Sequence, residues 1–530
     1  MSGPRTGLRF SLPYRRTGTG AAIIHALSRE IRTMSNPMLM TALLACAAAA
    51  HATGDNEAAN DAGWHVPPLD AAQPVAPLQM SGVLDLVPDL GFNESGQRYY
   101  PLDDDNGQEE WAFRVFPRAG GGWWLAGNHW NASSGAWDAG LVQVAANSDD
   151  VSKYTIATPM NLLNDVAFDA TANKLYFAGS TTLAGHSDTY MAVTCIDVGT
   201  TPPVKCSGFG TDGTAFVAFD IASGKNDGAW RVLVRPNLGV LLVGWAQNGA
   251  SGNAIAAAAL SGDDGGLIAR FGNNGKYWID FADNDNIHAI ALSDDADTEA
   301  RLYIAGSYEV PSDPGRIAGF ALALNAWTGQ PDAGFGSAGR VTLAPRLRPV
   351  GSNDGASALA VLADGKLAWS GWSLDGAGNR RLVVGRLNVD GSPDNSFHHL
   401  GWVAPVGAPP AGQLQHARPT DMAERPGNHD LVIAFEVAFD GTSPNAGEHR
   451  QFAYEYDADV RTPRGAAWAT WDYSGSGGPW ATPSGLLVTH DAVMMAGTQR
   501  YNVDTGDLDY TLLRLIRADT IFADGFDDAR

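Results

Sequence analysis

The sequence repeats itself at a fixed distance. The phrase LYIAGS at Leu302–Ser307 has a near copy, LYFAGS, at Leu175–Ser180. Weaker copies stand at Trp123–Asn128, Leu241–Ala246, Leu367–Trp372 and Val493–Thr498. Aligned on Gly127, Gly179, Gly244, Gly306, Gly371 and Gly497, they are 52, 65, 62, 65 and 126 residues apart. The last step is a double one, and LVIAFE at Leu431–Glu436 fills it, with Phe435 in place of the glycine. A second marker keeps the same period: FGTDG, FGNNG, FGSAG and FHHLG begin at Phe209, Phe271, Phe335 and Phe397. FNESG at Phe92 and RTPRG at Arg461–Gly465 are worn copies of it. Self-similarity at such a period marks a repeat architecture, here of seven units.

Each unit has one internal grammar. Between Phe271 and Gln330 the apolar runs GKYWIDF, IHAIALS, RLYIAGS and GFALALNA are separated by Asp, Asn, Gly, Ser and Pro, which reads as four strands joined by turns. The third run is continuously apolar, as in a strand covered on both faces of its sheet. Small sheets covered on both sides by their neighbours are propeller blades. The expectation is therefore an all-β chain, a seven-bladed β-propeller of four-stranded antiparallel blades over residues 85–520. A β-helix has far shorter rungs, and tandem sandwiches need units of about 100 residues. The phrase glycine is expected at the end of an inner strand, where crowding at the ring centre excludes bulk. The first strand, near Gln97–Leu102, is expected to pair with the last unit so that no edge stays open.

Three stretches carry a resemblance to a known family: QPDAGFGSAGRVTL (Gln330–Leu343), SPDNSFHHLGWV (Ser392–Val403) and ALAVLADGKLAWSG (Ala358–Gly371). Together they resemble the delta-60 repeat, whose pattern runs Leu-Asp-x-x-Phe-Gly-x-x-Gly, a strand, then Asp-Gly-Lys and an apolar strand ending in Ala-Gly. The resemblance covers about residues 89–520, best in the third to fifth units, and only Asp364-Gly365-Lys366 keeps the full turn. It implies a β-propeller in an exported bacterial protein and assigns no activity.

Composition narrows the partners. With 35 Lys+Arg against 58 Asp+Glu the net charge is −23, which disfavours nucleic acid and anionic membranes. Residues 1–52 read as an N-terminal extension and signal peptide: MSNPMLMTALLACAAAAHA from Met34 has a short apolar run and a small-x-small site at Ala50-His51-Ala52. Cleavage at Cys46 as a lipoprotein is the rival reading, and Met34 is a rival start. The run is too short for a permanent membrane span, and no later segment offers one. An Ala/Pro-rich linker over 53–84 and a tail over 521–530 flank the repeats. The expectation is an exported monomer (periplasmic, cell-surface or secreted). Cys195 and Cys206 then remain as an even pair that could close a disulfide in an oxidising compartment, with two unpaired thiols as the alternative.

A catalytic set is missing. There is no Gly-x-Ser-x-Gly, His-Glu-x-x-His or phosphate-binding glycine loop, and the histidines fall at no metal-ligand spacing. Acidic turns such as Leu102–Glu110, Asn388–Asn395 and Asn502–Asp509 lack the calcium-loop pattern, so no metal or cofactor is assigned. The positions following the repeated phrase vary. Asn128, Trp245, Tyr308 and Trp372 are the candidate ligand-binding residues, able to stack on and hydrogen-bond a glycan or protein ligand on one face of the ring. Packing between blades is the alternative use of the same aromatics. The function expected is a non-enzymatic binding or scaffold module. The alternative is a hydrolase or lyase of extracellular polymers, with residues from several blades meeting at the channel mouth.

Overall fold

The computed structural model describes residues 86–517 apart from positions 94, 103–108, 147–149, 222–225, 250–251, 282–284, 349–352, 399, 406–413, 440–448, 458–461, 469–480 and 503–506. The leader, linker and tail read from the sequence lie outside the described residues.

Among the described residues there are strands and no α-helix, as runs punctuated by turn residues and lacking helical periodicity require. Five sheets are separate antiparallel blades of four or five strands. The first spans Glu110–Met160, the second Leu162–Val217, the third Asp227–Ile279 and the fourth Asn286–Leu343. The closing blade joins Ala481–Val488, Ala492–Asn502 and Asp507–Arg517 to two strands from the chain's other end, Leu86–Pro88 and Gln97–Tyr100. Gln97–Tyr100 pairs with Tyr510–Leu513, so the ring is fastened by strand exchange as the sequence suggested.

Residues 354–468 depart from the expectation of seven separate sheets. They form one eight-stranded sheet, because Arg380 at the head of one strand pairs in parallel with His416 at the head of another. Among the described residues that one pair is the backbone pairing between its two halves, and every other ladder between the strands is antiparallel.

Hydrophobic cores lie between consecutive sheets. Leu141 and Trp137 of the first blade meet Phe177 and Ile196 of the second, Leu302 and Phe320 of the fourth meet Leu241 and Val243 of the third, and Tyr510 and Leu512 of the closing blade meet Val115 and Leu125 of the first. Each such buried Leu, Ile or Phe contributes about 2 kcal/mol. The second marker ties blade to blade at the backbone. The amides of Gly210, Gly272 and Gly336 donate to the carbonyls of Asp264, Thr328 and Asp390 in the next sheet, at 2.8, 2.7 and 2.8 Å. The marker rings Phe209, Phe271, Phe335 and Phe397 are buried beside them.

The repeated phrase lies in the second strand of each unit, and not at the end of the inner one as the sequence suggested. Its glycine pairs with the residue just before a β-bulge in the inner strand: Gly127 with Ala112, Gly179 with Leu163, Gly244 with Ala229, Gly306 with Ile287 and Gly371 with Ala356. At each, a Cβ would overlap an inner-strand carbonyl oxygen: that of Trp111, Leu162, Gly228, Asn286 or Gly355. A backbone atom pressed against the Cα is therefore the reason for the glycine. Phe435, in the exceptional copy, stacks on Phe452 with ring centroids 5.4 Å apart.

Gly306→Ala is expected to lower unfolding stability by about 2–3 kcal/mol, the cost of forcing a methyl into a filled site. Gly376→Ala, where a Cβ meets nothing within 4 Å, is expected to leave stability unchanged. Urea unfolding of both variants checks the contrast.

Candidate functional site

The inner strands touch one another in sequence round the ring, so their heads share one face. Buried carboxylates pin the loops that arrive there. Glu110 accepts the Leu102 amide at 2.9 Å, Asp227 that of Phe219 at 2.7 Å, Asp285 that of Phe281 at 2.8 Å and Asp354 that of Arg346 at 3.2 Å.

The bulge inserts one extra residue per inner strand: Phe113, Asn164, Trp230, His288, Ser357, Thr420 and Ser484. A bulge bends its strand and re-aims the side chains beside it. The residues that follow are Arg114, Asp165, Arg231, Ala289, Ala358, Asp421 and Gly485. Four are charged and three are small, which leaves room for the charged ones to reach across. Arg114 binds Asp165 of the second blade at 3.1 Å and Asp421 of the eight-stranded sheet at 2.7 Å. The second bond passes the closing blade, where Gly485 lies against the Arg114 side chain. Burial opposes the charge of Arg114, but Asp165 and Asp421 overcome it and hold its pKa above the ordinary value. Each carboxylate also accepts a backbone amide, Val232 at 3.2 Å for Asp165 and Leu486 at 2.8 Å for Asp421. This is a lock across the axis.

Arg231 is placed differently. Its Nε donates to the His288 carbonyl at 2.8 Å, and among the described residues it forms no ion pair. His288, whose Nε2 lies 3.3 Å from Ser307 Oγ, is pushed down to about 4 by burial and by the fields of Arg231, Arg418 and Arg380. Those three guanidinium groups therefore share the surroundings of a neutral imidazole, and Arg231 also lies in the fields of Asp165, Arg114 and Asp421.

Arg380 and Arg418 also line a cavity of about 540 Å³ with His416, Glu436 and His449, at the seam between the halves of the eight-stranded sheet. Arg380 lies over the Trp372 ring at 4.4 Å, and burial followed by the charge of Arg418 lowers its pKa. His416 Nδ1 accepts the Arg380 backbone amide at 3.3 Å, which leaves the proton on Nε2. Burial and then Arg380 lower its pKa, so the ring is a neutral donor. Glu436 is 8% exposed. Burial works against its charge, but hydrogen bonds from His449 and from Thr482 (3.1 Å), with the field of Arg418, keep its pKa below the ordinary value. Arg418 is 4.0 Å from Glu436 and its side chain is 67% exposed. The arrangement can hold an anion against two guanidinium groups and a hydroxyl against Glu436 or His416.

Of the candidates read from the sequence, Asn128 and Tyr308 serve the fold. Asn128 is buried, accepts the Trp111 amide at 3.0 Å and donates to the Leu163 carbonyl of the next blade at 3.1 Å. Tyr308 is 7% exposed, edge-on to Phe281 and Phe320, with its hydroxyl 3.1 Å from Thr342 Oγ1. Trp245 and Trp372 are half-buried, one lying on Gly228 and the other on Gly355. Neither lines the cavity; Trp372 lies under the guanidinium of Arg380, which does. Cys195 and Cys206 are joined as a disulfide and buried in the second blade. Arg231, Arg380, Arg418, Glu436 and His449 were not singled out as ligand-binding. The available signal was a lone charge interrupting an apolar inner strand, as in AFRVF and AWRVLV; HARPTDMAE, with Arg418, Asp421 and Glu424, is charged throughout.

No family model matches the chain, and no characterised protein matches it in sequence. Solved structures resemble it in fold alone. A protein of unknown function from Dyadobacter fermentans is 12% identical, covering 80% of this chain and 99% of its own, with a TM-score of 0.37. A polysaccharide lyase is 9% identical over 76% and 89%, at 0.41. The β-propeller domain of the Trilobed protease from Pyrococcus furiosus, described as having an open velcro topology, is 8% identical over 77% and 93%, at 0.37. Identities and scores this low leave the functional reading to the chain's own residues.

Arg114→Met is expected to cost about 3 kcal/mol of stability, since it strands two carboxylates, and adding Asp165→Asn and Asp421→Asn is expected to recover much of it. Urea unfolding of the single and triple variants measures both. His288 stays neutral in the fold while the unfolded chain takes up protons below pH about 6.5. Its stabilising contribution is therefore lost as pH falls from that value towards 4. The melting-temperature advantage of wild type over His288→Gln is expected to shrink across that window and to stay constant above pH 7.

Proposed function

We propose that this chain is an exported, monomeric seven-bladed β-propeller of the delta-60 repeat type, acting as a non-enzymatic binding module that captures an anionic ligand at one mouth of its channel. One observation carries the binding reading. In a chain of net charge −23, Arg231, Arg380 and Arg418 converge, and among the described residues none has a carboxylate closer than 4.0 Å. Clustered cations whose only carboxylate contact is Glu436 at 4.0 Å, with Asp165 and Asp421 acting on Arg231 from farther off, still repel one another and are relieved by an anion. The surrounding negative charge would keep polyanions off the rest of the surface and confine them to this mouth.

The count of seven treats the eight-stranded sheet as two blades. Its halves have a core between them, Ala368 and Val384 of one meeting Ile433 and Tyr454 of the other, as the separate blades do. The buried disulfide supports the exported reading. A second reading, a hydrolase or lyase, is favoured by the hydrogen-bonded series His449–Glu436–Thr482 in the same cavity, a base oriented by a carboxylate. Turnover of an acidic polymer by wild type but not by His449→Ala would select it.

Calorimetric titration with polygalacturonate, dextran sulfate and polyglutamate tests the binding reading. At least one is expected to bind, to weaken as salt rises, and to bind Arg380→Ala/Arg418→Ala at least tenfold more weakly. No binding to any, or an unaffected double variant, overturns it.

A further inference from the structure

We infer that the ligand is a glycan built of carboxylated sugars, a polyuronate, with one uronate ring seated in the cavity between Arg380, Arg418 and Glu436; the inference rests on the anion-binding reading above. The charge balance of the cavity sets the anion. Two guanidinium groups face one carboxylate, Glu436, which His449 and Thr482 already hold by hydrogen bonds, so the arginines outnumber the acid in the lining. That balance matches a monoanion such as a carboxylate. A sulfate or phosphate ester, with three outward oxygens, needs donors on several sides, and Glu436 occupies one side with an acceptor.

Glu436 is the second part of the argument. It stands directly across from Arg418 in the pairing of their two strands, and it is fixed by Thr482 and His449. A bare carboxylate ligand, as in an acidic peptide, gains nothing from a fixed carboxylate beside its own and is repelled by it. A sugar acid has hydroxyls next to its carboxylate, and those donate to a carboxylate acceptor while its own anion meets the arginines. The cavity of about 540 Å³ is of ligand-pocket size and open to solvent, so that a chain can continue past the seated ring. Arg380 is held over Trp372, which lowers the ordering cost of presenting a forked donor to a planar carboxylate.

The experiment is calorimetric titration of the full chain with trigalacturonate, its methyl ester and a polyglutamate of equal charge. Trigalacturonate is expected to bind at least tenfold more tightly than either comparison. Glu436→Gln is expected to weaken trigalacturonate and to strengthen polyglutamate, a crossed response that a general loss of folding does not produce. Circular dichroism melting confirms that the variant is folded, and Glu436→Asp is expected to restore part of the preference. If polyglutamate binds as tightly as trigalacturonate, the glycan inference fails and the anion-binding reading stands. If the methyl ester binds as tightly as the acid, or if neither trigalacturonate nor polyglutamate binds, the glycan inference fails, and the dextran sulfate titration decides whether the anion-binding reading fails with it.

Discussion

One extra residue in each inner strand governs this molecule. The bulge pushes a carbonyl oxygen into the second strand, where only a Cα without a side chain fits, and it turns the next side chain towards the axis. The most visible pattern in the sequence and the least visible chemistry of the structure are thus two results of one irregularity in the backbone. The glycine stands in six of the seven copies of the phrase because the clash is with backbone, which has nowhere to move. The residue after the bulge differs from blade to blade because its neighbours there are other side chains: Gly485 leaves room for Arg114, and Arg114 meets Asp165 and Asp421.

Electrostatics then divides the axis into two kinds of site. In one, Arg114 is saturated by Asp165 and Asp421, which are themselves tied to backbone amides, so the cluster is closed and structural. In the other, Arg231, Arg380 and Arg418 are held by carbonyls, an aromatic ring and Glu436 at 4.0 Å, with Asp165 and Asp421 reaching Arg231 only through their fields. The difference matters because a guanidinium whose hydrogen bonds go only to carbonyl oxygens has its charge less fully compensated than one bonded to carboxylates, and low-polarity walls extend the reach of that field. Burial first, and then the fields of Arg231, Arg418 and Arg380, keep the His288 imidazole neutral.

The repeat, the four strands of a unit and the fastening of the ring by its first strands were legible, since each is written in apolar residues that recur wherever packing recurs. The disulfide partners could be named from their spacing and compartment, with the pairing left open. The division into separate sheets was not legible: it turns on one pairing, Arg380 with His416, that no periodicity encodes. The site was read only at its border. Residues after the repeated phrase were reasonable candidates, but an amide such as Asn128 is consumed by bridging two backbones, and Tyr308 by an aromatic cluster. The cavity is built instead from residues two strands apart in different halves of a sheet. Nothing in the local sequence around Arg380 or Glu436 announces that they meet.

The bond from Arg114 to Asp421 spans 307 positions of the chain, and the one from the Ala112 amide to Thr498 Oγ1 spans 386. Individual blades are local structures and can form as they emerge during synthesis, but these two contacts are available only at the end. At usual elongation rates the interval is on the order of a minute. Throughout it the outer face of the first blade, with Val115, Leu125 and Val142, stays in water until Tyr510 and Leu512 arrive to cover it. A ring that is fastened by its own beginning is therefore, for most of its making, a stack with one sticky end. The selective pressure on such a chain falls as heavily on that waiting period as on the finished fold.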